Sequence, residues 1–325
     1  MINIGDLEVE SKVFTAPMAG VTDYPYRQIL REQGAELLFT EMVSSMGLLQ
    51  ENRNTHELVE FDRQGGLIGV QIFGDDPEVV AEAAYRVEKE YQPDLIDLNF
   101  GCPAPKIVKN GAGSALMREP DRVYEMVLKT VDNCDIPITV KIRKGWDENH
   151  LTGIEVAKAA EEAGAALLTV HGRTREEFYS GEADWSIITD IVNRLNIPVI
   201  GNGDVFSAED ALDMLNETGA AGVMVARGIQ GYPWLIKEVD YYLKEGIMLE
   251  SPNYKERIEM AIKHLEFAVS YYGEDSAVPL MRKHLAWYIK GMPYSARQRE
   301  RINSISDKEE LVDSLYKYLT LIQDD

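Results

Sequence analysis

Apolar and β-branched residues gather along the first 230 positions into short runs, each followed by turn residues. The runs are VFTAP (13–17), LLFTEMV (37–43), LIGVQIF (67–73), LIDLNF (95–100), PITVKI (137–142), LLTVHG (167–172), PVIGNG (198–203) and GVMVAR (222–227). They are near-continuous rather than alternating, which suits parallel strands buried on both faces. Their starts lie 24 to 42 residues apart, enough for a helix between each pair. The intervening segments carry helical punctuation. DPEVVAEAAYRVEKE (76–90) has Pro77 near its first helical position, after Asp75 or Asp76 as the cap. TGIEVAKAAEEAG (152–164) offers Thr152 as a cap, Glu155 three residues later and Gly164 as terminator. SAEDALDMLNETG (207–219) repeats that pattern with Ser207 and Gly219.

Eight strand–helix units over about 230 residues predict an α/β fold of the (β/α)8 TIM-barrel type. A doubly wound sheet usually needs fewer strands and often a glycine-rich first turn, whereas the first turn here is PMAGVTD. After about residue 240 the strand-like runs stop. YKERIEMAIKHLEFAVSYYG (254–273), AVPLMRKHLAWYIKGM (277–292) and KEELVDSLYKYLTLI (308–322) have helical periodicity. The expectation is a barrel domain over 1–240 and a smaller all-helical domain of three to five helices over 241–325.

Composition narrows the class. With 45% hydrophobic and 27% charged residues, the chain is an ordinary globular protein rather than a disordered or fibrous one. No apolar stretch approaches the ~18 residues of a transmembrane helix. The start, MINIGDLEVE, lacks the basic and apolar regions of a secretory signal. Two cysteines make no disulfide framework, and no His/Cys cluster suggests a metal site. These features together predict a cytoplasmic protein that binds neither metal nor membrane. The net charge of -22 is uneven. Residues 241–325 hold 12 Lys+Arg against 14 Asp+Glu, and 1–240 hold 21 against 41. Within the tail, Arg282, Lys283, Lys290, Arg297, Arg299 and Arg301 face only Glu300 over 282–301, a net of +5. Such a patch can bind phosphates locally on an acidic protein, although on charge alone a solvated helix face is the simpler reading.

Active sites of α/β barrels lie at the C-terminal ends of the strands. The residues there are Pro17, Met18 and Ala19 after the first run, then Glu41, Gln71, Asn99 with Cys102, and Lys141 with Arg143. His171 with Arg173, Asn202 with Gly203 and Asp204, and Arg227 with Gly228 complete the ring. Polar groups inside apolar strands need partners, so this ring reads as functional. GNGDV after the seventh run and ARG after the eighth occupy the usual barrel phosphate pocket, although each could be an ordinary turn. Lys141 sits within a strand and needs an anionic partner. A reduced flavin would serve, and a Schiff-base lysine is the competing reading. Gln71 and His171 could bond the edge of an isoalloxazine ring. Cys102, in NFGCPAP, is placed as a thiol acid or nucleophile. Cys134, just before the fifth run, belongs to the opposite barrel end and reads as structural.

Taken together, APMAGVTD (16–23), VQIFG (70–74), DLNFGCPAPK (97–106), GSALM (113–117), TVKIRKGWD (139–147), TVHGRTREEFYSGEADW (169–185), IGNGDV (200–205) and VARGIQGYPW (225–234) resemble the tRNA-dihydrouridine synthase family. MRKHLAWYIKGMP (281–293) is similar to its bacterial B-type branch. Ala226 departs from the glycine common before the phosphate arginine. The resemblance implies an FMN-dependent reduction of the uracil C5–C6 double bond in tRNA, with NADPH (or NADH) as reductant and no obligate protein partner. Pro17, Met18 and Ala19 would line the flavin, and Gln71, Lys141 and His171 would bond its ring. Asn202, Gly203, Asp204, Ala226 and Arg227 would hold its phosphate. Asn99 and Arg143 would face a flipped-out uracil, and Cys102 would protonate C5 after hydride reaches C6. Arg282 and Lys283 would contact tRNA. The other readings to be weighed are a flavin barrel acting on a free pyrimidine and a barrel kept only as an RNA-binding module.

Overall fold

Each of the eight runs contributes a parallel strand to one sheet in the computed structural model, which describes residues 1–50, 52–62 and 65–323. The strands are β1 (Val13–Thr15), β2 (Leu37–Phe39), β3 (Leu67–Phe73), β4 (Leu95–Asn99), β5 (Ile138–Gly145), β6 (Leu167–Thr174), β7 (Val199–Asn202) and β8 (Gly222–Val225). They pair in the order β1–β8–β7–β6–β5–β4–β3–β2, and β1 packs beside β2 to close a (β/α)8 barrel.

The near-continuous apolar runs have two destinations. Residues such as Ile96, Leu98, Val140, Ile142, Leu168 and Val170 face outward into the layer shared with the helices. The alternate residues point into the barrel. At its floor these are Phe14, Leu37, Phe39, Leu95, Leu167, Ile200 and Met224. An N-terminal hairpin, Ile2–Ile4 paired antiparallel with Leu7–Val9, plugs that floor with Ile2, Ile4 and Val9. The sequence reading missed it, because three residues per strand are too few to show alternation.

Local chemistry sets the helix ends. The Asp76 carboxylate accepts the N–H groups of Glu78 and Val79, and Pro77 opens the Pro77–Tyr91 helix. Ser207 and Asp210 form a reciprocal capping box, and Gly219 ends the Ala208–Thr218 helix at φ +68°. Thr152 does not cap. Its hydroxyl instead donates to the carbonyl of Met117 in the neighbouring 3-10 segment.

Three strands differ from the predicted runs. The second run leaves the sheet after Phe39 and rejoins it at Val43–Ser44, beside Ile72 and Phe73 of β3. In the gap, Glu41 turns away to accept the N–H of Gly20. Strands β5 and β6 run on to Gly145 and Thr174, carrying the buried cations Arg143, Lys144 and Arg173 beyond the apolar stretch.

The last barrel helix, Leu235–Glu245, runs across residue 240 and ends at Gly246. Four helices follow: Tyr254–Tyr272, Glu274–Tyr288, Ser295–Ser304 and Lys308–Gln323. They bury their own core around Leu265, Leu285, Tyr288, Leu315 and Ile322. The third escaped sequence reading because Ile302 is the sole large apolar residue it buries. This helical region is fastened to the barrel. Tyr26, itself bonded to the carbonyl of Ile229 within the barrel, stacks on His264 at 4.9 Å. Tyr272 donates to Asp23 at 3.1 Å, and Lys263 pairs with Glu32. No helix among the described residues is long and apolar enough to cross a membrane.

Candidate active site

A cavity of about 470 Å³ opens at the C-terminal ends of the strands, within the range of ordinary small-molecule sites. Pro17, Met18 and Ala19 form one apolar wall. Asn99 and Cys102, Lys141 and Arg143, His171, Asn202 to Asp204, and Ala226 with Arg227 also line it. Parallel register assembles this ring. Asn99 is opposite Lys141, Arg143 is opposite His171, and His171 is opposite Asn202.

One end of the cavity suits an anion. Gly203 takes φ +125°, and a Cβ there would lie 2.6 Å from that of Ala183, so the chain must be bare at this point. The Asp204 carboxylate is held by both nitrogens of Arg173, at 2.9 and 2.6 Å, and by Arg227 at 2.8 Å. These partners pull its pKa below the usual carboxylate range against the effect of burial. The Asp204 side chain is thus committed to Arg173 and Arg227. A carboxylate repels phosphate, and here it aims Arg227 while only its backbone N–H remains for an anion. The Arg227 guanidinium also lies 5.4 Å from the Tyr179 ring and 5.5 Å from that of Phe206.

The middle of the cavity carries two tuned bases. Lys141 Nζ donates to Asn202 Oδ1 at 3.1 Å, and Asn202 Nδ2 is anchored on the carbonyl of Met224 at 2.7 Å. Burial and the neighbouring Arg143 lower the Lys141 pKa to about 8. Burial and four surrounding cations keep His171 neutral, its pKa well below the ordinary value. Its Nδ1 accepts the N–H of Arg173 at 3.1 Å, which assigns the proton to Nε2. Lys141 and His171 thus both present donors.

Cys102 lies on the opposite side, buried at the cavity wall. Burial raises the thiol pKa, while the Ala104 N–H, Arg143 and Lys141 pull the other way. The thiol is thus protonated at neutral pH. Its loop hangs from Asn99, whose Oδ1 accepts the N–H groups of Gly101 at 3.0 Å and Cys102 at 2.8 Å. Asn99 Nδ2 donates to Gln71 Oε1 at 2.7 Å. Gln71 is fully buried beneath Asn99 and is not among the residues lining the cavity. Arg143 is anchored on the carbonyls of Gly101, Thr174 and Phe178, so it clamps two loops at the cavity wall.

The two residues expected to contact nucleic acid both make bonds within the chain. Arg282 is partly buried and donates to the carbonyl of Ile305 at 3.0 Å, inside the helical region. Lys283 is exposed and donates to the carbonyl of Gly20, in the loop carrying the cavity wall. Cys134 lies away from the cavity beside Glu88, with its pKa pushed up to about 12. Sequence reading passed over Phe178, Tyr179 and Phe206, which also line the cavity. They stand in loops, where no periodicity marks them.

Among the described residues no group of His, Cys, Asp and Glu is arranged to hold a metal ion. The arrangement can bind a phosphorylated, partly anionic group and deliver one proton from a neutral thiol.

Comparison with known proteins gives the family of the chain. The chain is 40% identical to a probable tRNA-dihydrouridine synthase of Rickettsia conorii, over 100% of this chain and 98% of that one. It is 36% identical to tRNA-dihydrouridine synthase B of Pasteurella multocida, over 99% and 96%. With the corresponding B-type protein of Pseudomonas aeruginosa it shares 39%, over 95% and 93%. Among solved structures, histamine dehydrogenase from Rhizobium sp. 4-9 shares the fold at a TM-score of 0.58 and 14% identity, over 82% of this chain and 50% of that one. The family model described as dihydrouridine synthase (Dus) matches residues 14–323, and the chain therefore belongs to the dihydrouridine synthase family, with the B-type proteins among its relatives.

Proposed function

We propose that the protein is an FMN-dependent tRNA-dihydrouridine synthase that reduces the C5–C6 double bond of particular uridines in tRNA, with NADPH (or NADH) as the electron source. The observation that carries this reading is a buried thiol, Cys102, in one cavity with the bare backbone of Gly203 and the guanidinium of Arg227. The donor set fits FMN. Arg227, the backbone at Gly203 and Asp204, and Ala226 suit its phosphate, and Lys141 and the Nε2–H of His171 suit the electron-rich edge of its ring. When bound, FMN supplies the hydride.

The chain's own residues do the rest. Pro17, Met18 and Ala19 keep one wall apolar and dry. Asn99 and Arg143 border the space left for a uracil, although Arg143's anchoring on three carbonyls makes it chiefly a clamp on that space. Cys102 gives a proton to C5 once C6 has been reduced, leaving a thiolate that Arg143 and Lys141 favour electrostatically. A uridine in folded tRNA must leave its stack to arrive there, at a cost of a few kcal/mol.

The region 241–325 serves as the tRNA-binding part, with Lys290, Arg297, Arg299 and Arg301 among its exposed cations. Lys283 and Tyr272 fasten it to the loop between β1 and the first helix, next to the cavity wall. That placement favours a macromolecule over a free pyrimidine, which needs no such appendage. A cytoplasmic setting follows from a tRNA substrate and two free thiols.

The test is mass-spectrometric mapping of dihydrouridine in tRNA from a deletion strain, complemented with the wild-type chain or with Cys102→Ala. The wild type should restore dihydrouridine and the variant should not. A strain that loses no dihydrouridine, or a purified protein that is colourless and takes up no FMN, refutes the reading.

A further inference from the structure

Asp97 is a carboxylate at the centre of the barrel, 2% exposed, that no step above employs. It sits on β4, two residues before Asn99 and level with Gln71 on β3. Its Oδ2 accepts Gln71 Nε2 at 2.6 Å, and its Oδ1 accepts the Thr139 hydroxyl at 2.6 Å. Gln71 Oε1 then accepts Asn99 Nδ2 at 2.7 Å, and Asn99 Oδ1 accepts the N–H groups of Gly101 and Cys102. We propose that Asp97 is a positioning residue for Cys102, acting through Gln71 and Asn99 to fix the direction of the hydrogen bonds that hold the thiol-bearing loop. The proposal rests on the reading of Cys102 as the proton donor.

The argument is one of donors and acceptors. A carboxamide turned by 180° keeps its shape but exchanges donor for acceptor. Gln71 and Asn99 are therefore ambiguous on their own. The two ends of the chain are not. An ionised Asp97 only accepts, and the N–H groups of Gly101 and Cys102 only donate. Between such ends just one sense of both amides leaves every group paired. Turning either amide sets two donors or two acceptors against each other among buried side chains, where the loss is largest. Burial raises the Asp97 pKa, while the Gln71 and Thr139 hydrogen bonds and the charge of Lys141 favour its ionised form.

The consequence falls on the loop rather than on the fold. With the direction enforced, Asn99 holds two successive N–H groups and the Cys102 side chain has one place to be. Without it, Asn99 can turn its NH2 toward those donors and the loop must move. A displacement of about 1 Å at a proton donor is enough to slow a reaction by ~10²-fold.

The experiment compares the full-length protein with Asp97→Leu and the conservative Asp97→Asn, each with Cys102 intact and with Cys102→Ala. Leucine removes the acceptor. Asparagine keeps one acceptor and restores the direction in part, by turning its NH2 toward the Thr139 hydroxyl. The first readout needs no activity. The rate of Cys102 alkylation by iodoacetamide is followed against pH by peptide mass spectrometry, which separates Cys102 from Cys134. The second is single-turnover reduction of tRNA. Expected are a shifted alkylation profile and roughly tenfold or greater slowing in Asp97→Leu, with Asp97→Asn between it and wild type. Flavin content and KM for tRNA should hold, and neither substitution should slow the Cys102→Ala protein further, since residues acting through one group are not additive. Equal slowing with and without Cys102, or an unchanged alkylation profile in both variants, overturns the proposal. Should Asp97→Leu fail to fold, the same comparison made with Asp97→Asn alone decides. If the wild-type protein does not reduce tRNA, the functional reading fails, and the alkylation arm still decides whether Asp97 holds the loop.

Discussion

Lys141 reaches across the barrel from β5 and donates through Nζ to Asn202 Oδ1 on β7, 3.1 Å away. Among the described residues no carboxylate is in contact with its charge, and its pKa falls to about 8. A group so placed is primed for an anionic ligand, which would raise that pKa again. Below pH 8 the ammonium is present before binding, and above it the ligand must bring in a proton. FMN affinity is therefore expected to be level up to about pH 8 and to weaken as pH rises further. Lys141→Met should weaken binding by ~10- to 100-fold, the worth of a charge-assisted hydrogen bond of ~1.5–3 kcal/mol, and flatten the pH profile. Fluorescence titration of FMN measures both, and superimposable curves for the two proteins would show that Lys141 does not meet the ligand.

Gly203→Ala should damage the anion end specifically. The new Cβ meets that of Ala183 at 2.6 Å in a backbone at φ +125°. Strain of this kind costs ~1–3 kcal/mol, so the melting temperature should drop and FMN should restore little of it. Adding Ala183→Gly relieves the contact but not the backbone strain, and should recover part of the stability. Full recovery would mean that the positive φ costs nothing.

Cys102→Ala is expected to bind FMN and oxidise NADPH normally, yet to reduce tRNA at least ~10²-fold more slowly, the usual contribution of a positioned acid. Cys102→Ser should also be impaired, because an alcohol is the weaker acid. The pH dependence follows from the sign of the shift. Burial raises the thiol pKa above its ordinary value of 9.0, so donation persists through neutral pH and fades only as pH climbs past that raised value. Single-turnover oxidation of prereduced protein by tRNA measures each point. A wild-type rate in Cys102→Ala would move the proton donor elsewhere, with His171 or a water next.

The basic residues of the tail should separate into two groups. Lys290, Arg297, Arg299 and Arg301 are exposed. Reversing the charge of three of them should weaken tRNA binding and lower the slope of log K against log salt by roughly 0.7 to 0.9 per lost phosphate contact. Arg282 is committed to the carbonyl of Ile305. Arg282→Ala should lower stability and leave the salt slope alone. Unchanged affinity and slope after the triple reversal would place tRNA on another face.

Acid should loosen the junction of barrel and tail. Burial keeps His284 neutral, its pKa lowered to about 3, and His264 beside it is shifted the same way. The unfolded chain takes up these protons near pH 6.5 and the folded one does not. Stability contributed by the neutral pair is thus complete above pH 6.5 and declines as pH falls from 6.5 toward 3. Chemical denaturation at pH 7 and pH 5 measures it. His264→Phe, which keeps the stack on Tyr26, should shrink the difference, and an equal difference in the variant would exclude this pair as its source.

Sequence alone determined the barrel and most of the residues that gather at its rim. Eight apolar runs separated by helical segments admit few arrangements, because each run must be buried on both faces and each helix on one. Strand order then follows from short right-handed connections, and barrel geometry brings the polar residue after each run to one rim. That is why Cys102, Lys141, His171, Asn202 and Arg227 could be named from their positions in the chain. Tertiary structure decided what those side chains do to one another. Asp204 turned out to serve Arg173 and Arg227, Gln71 to lie beneath Asn99, and Arg282 to bond within its own domain. It also decided the hairpin beneath the barrel and the loop aromatics Phe178, Tyr179 and Phe206. Hydrophobic periodicity records only which face of an element is buried. The partner of a polar group is set by register and distance between elements far apart in the chain, and no local pattern carries that information.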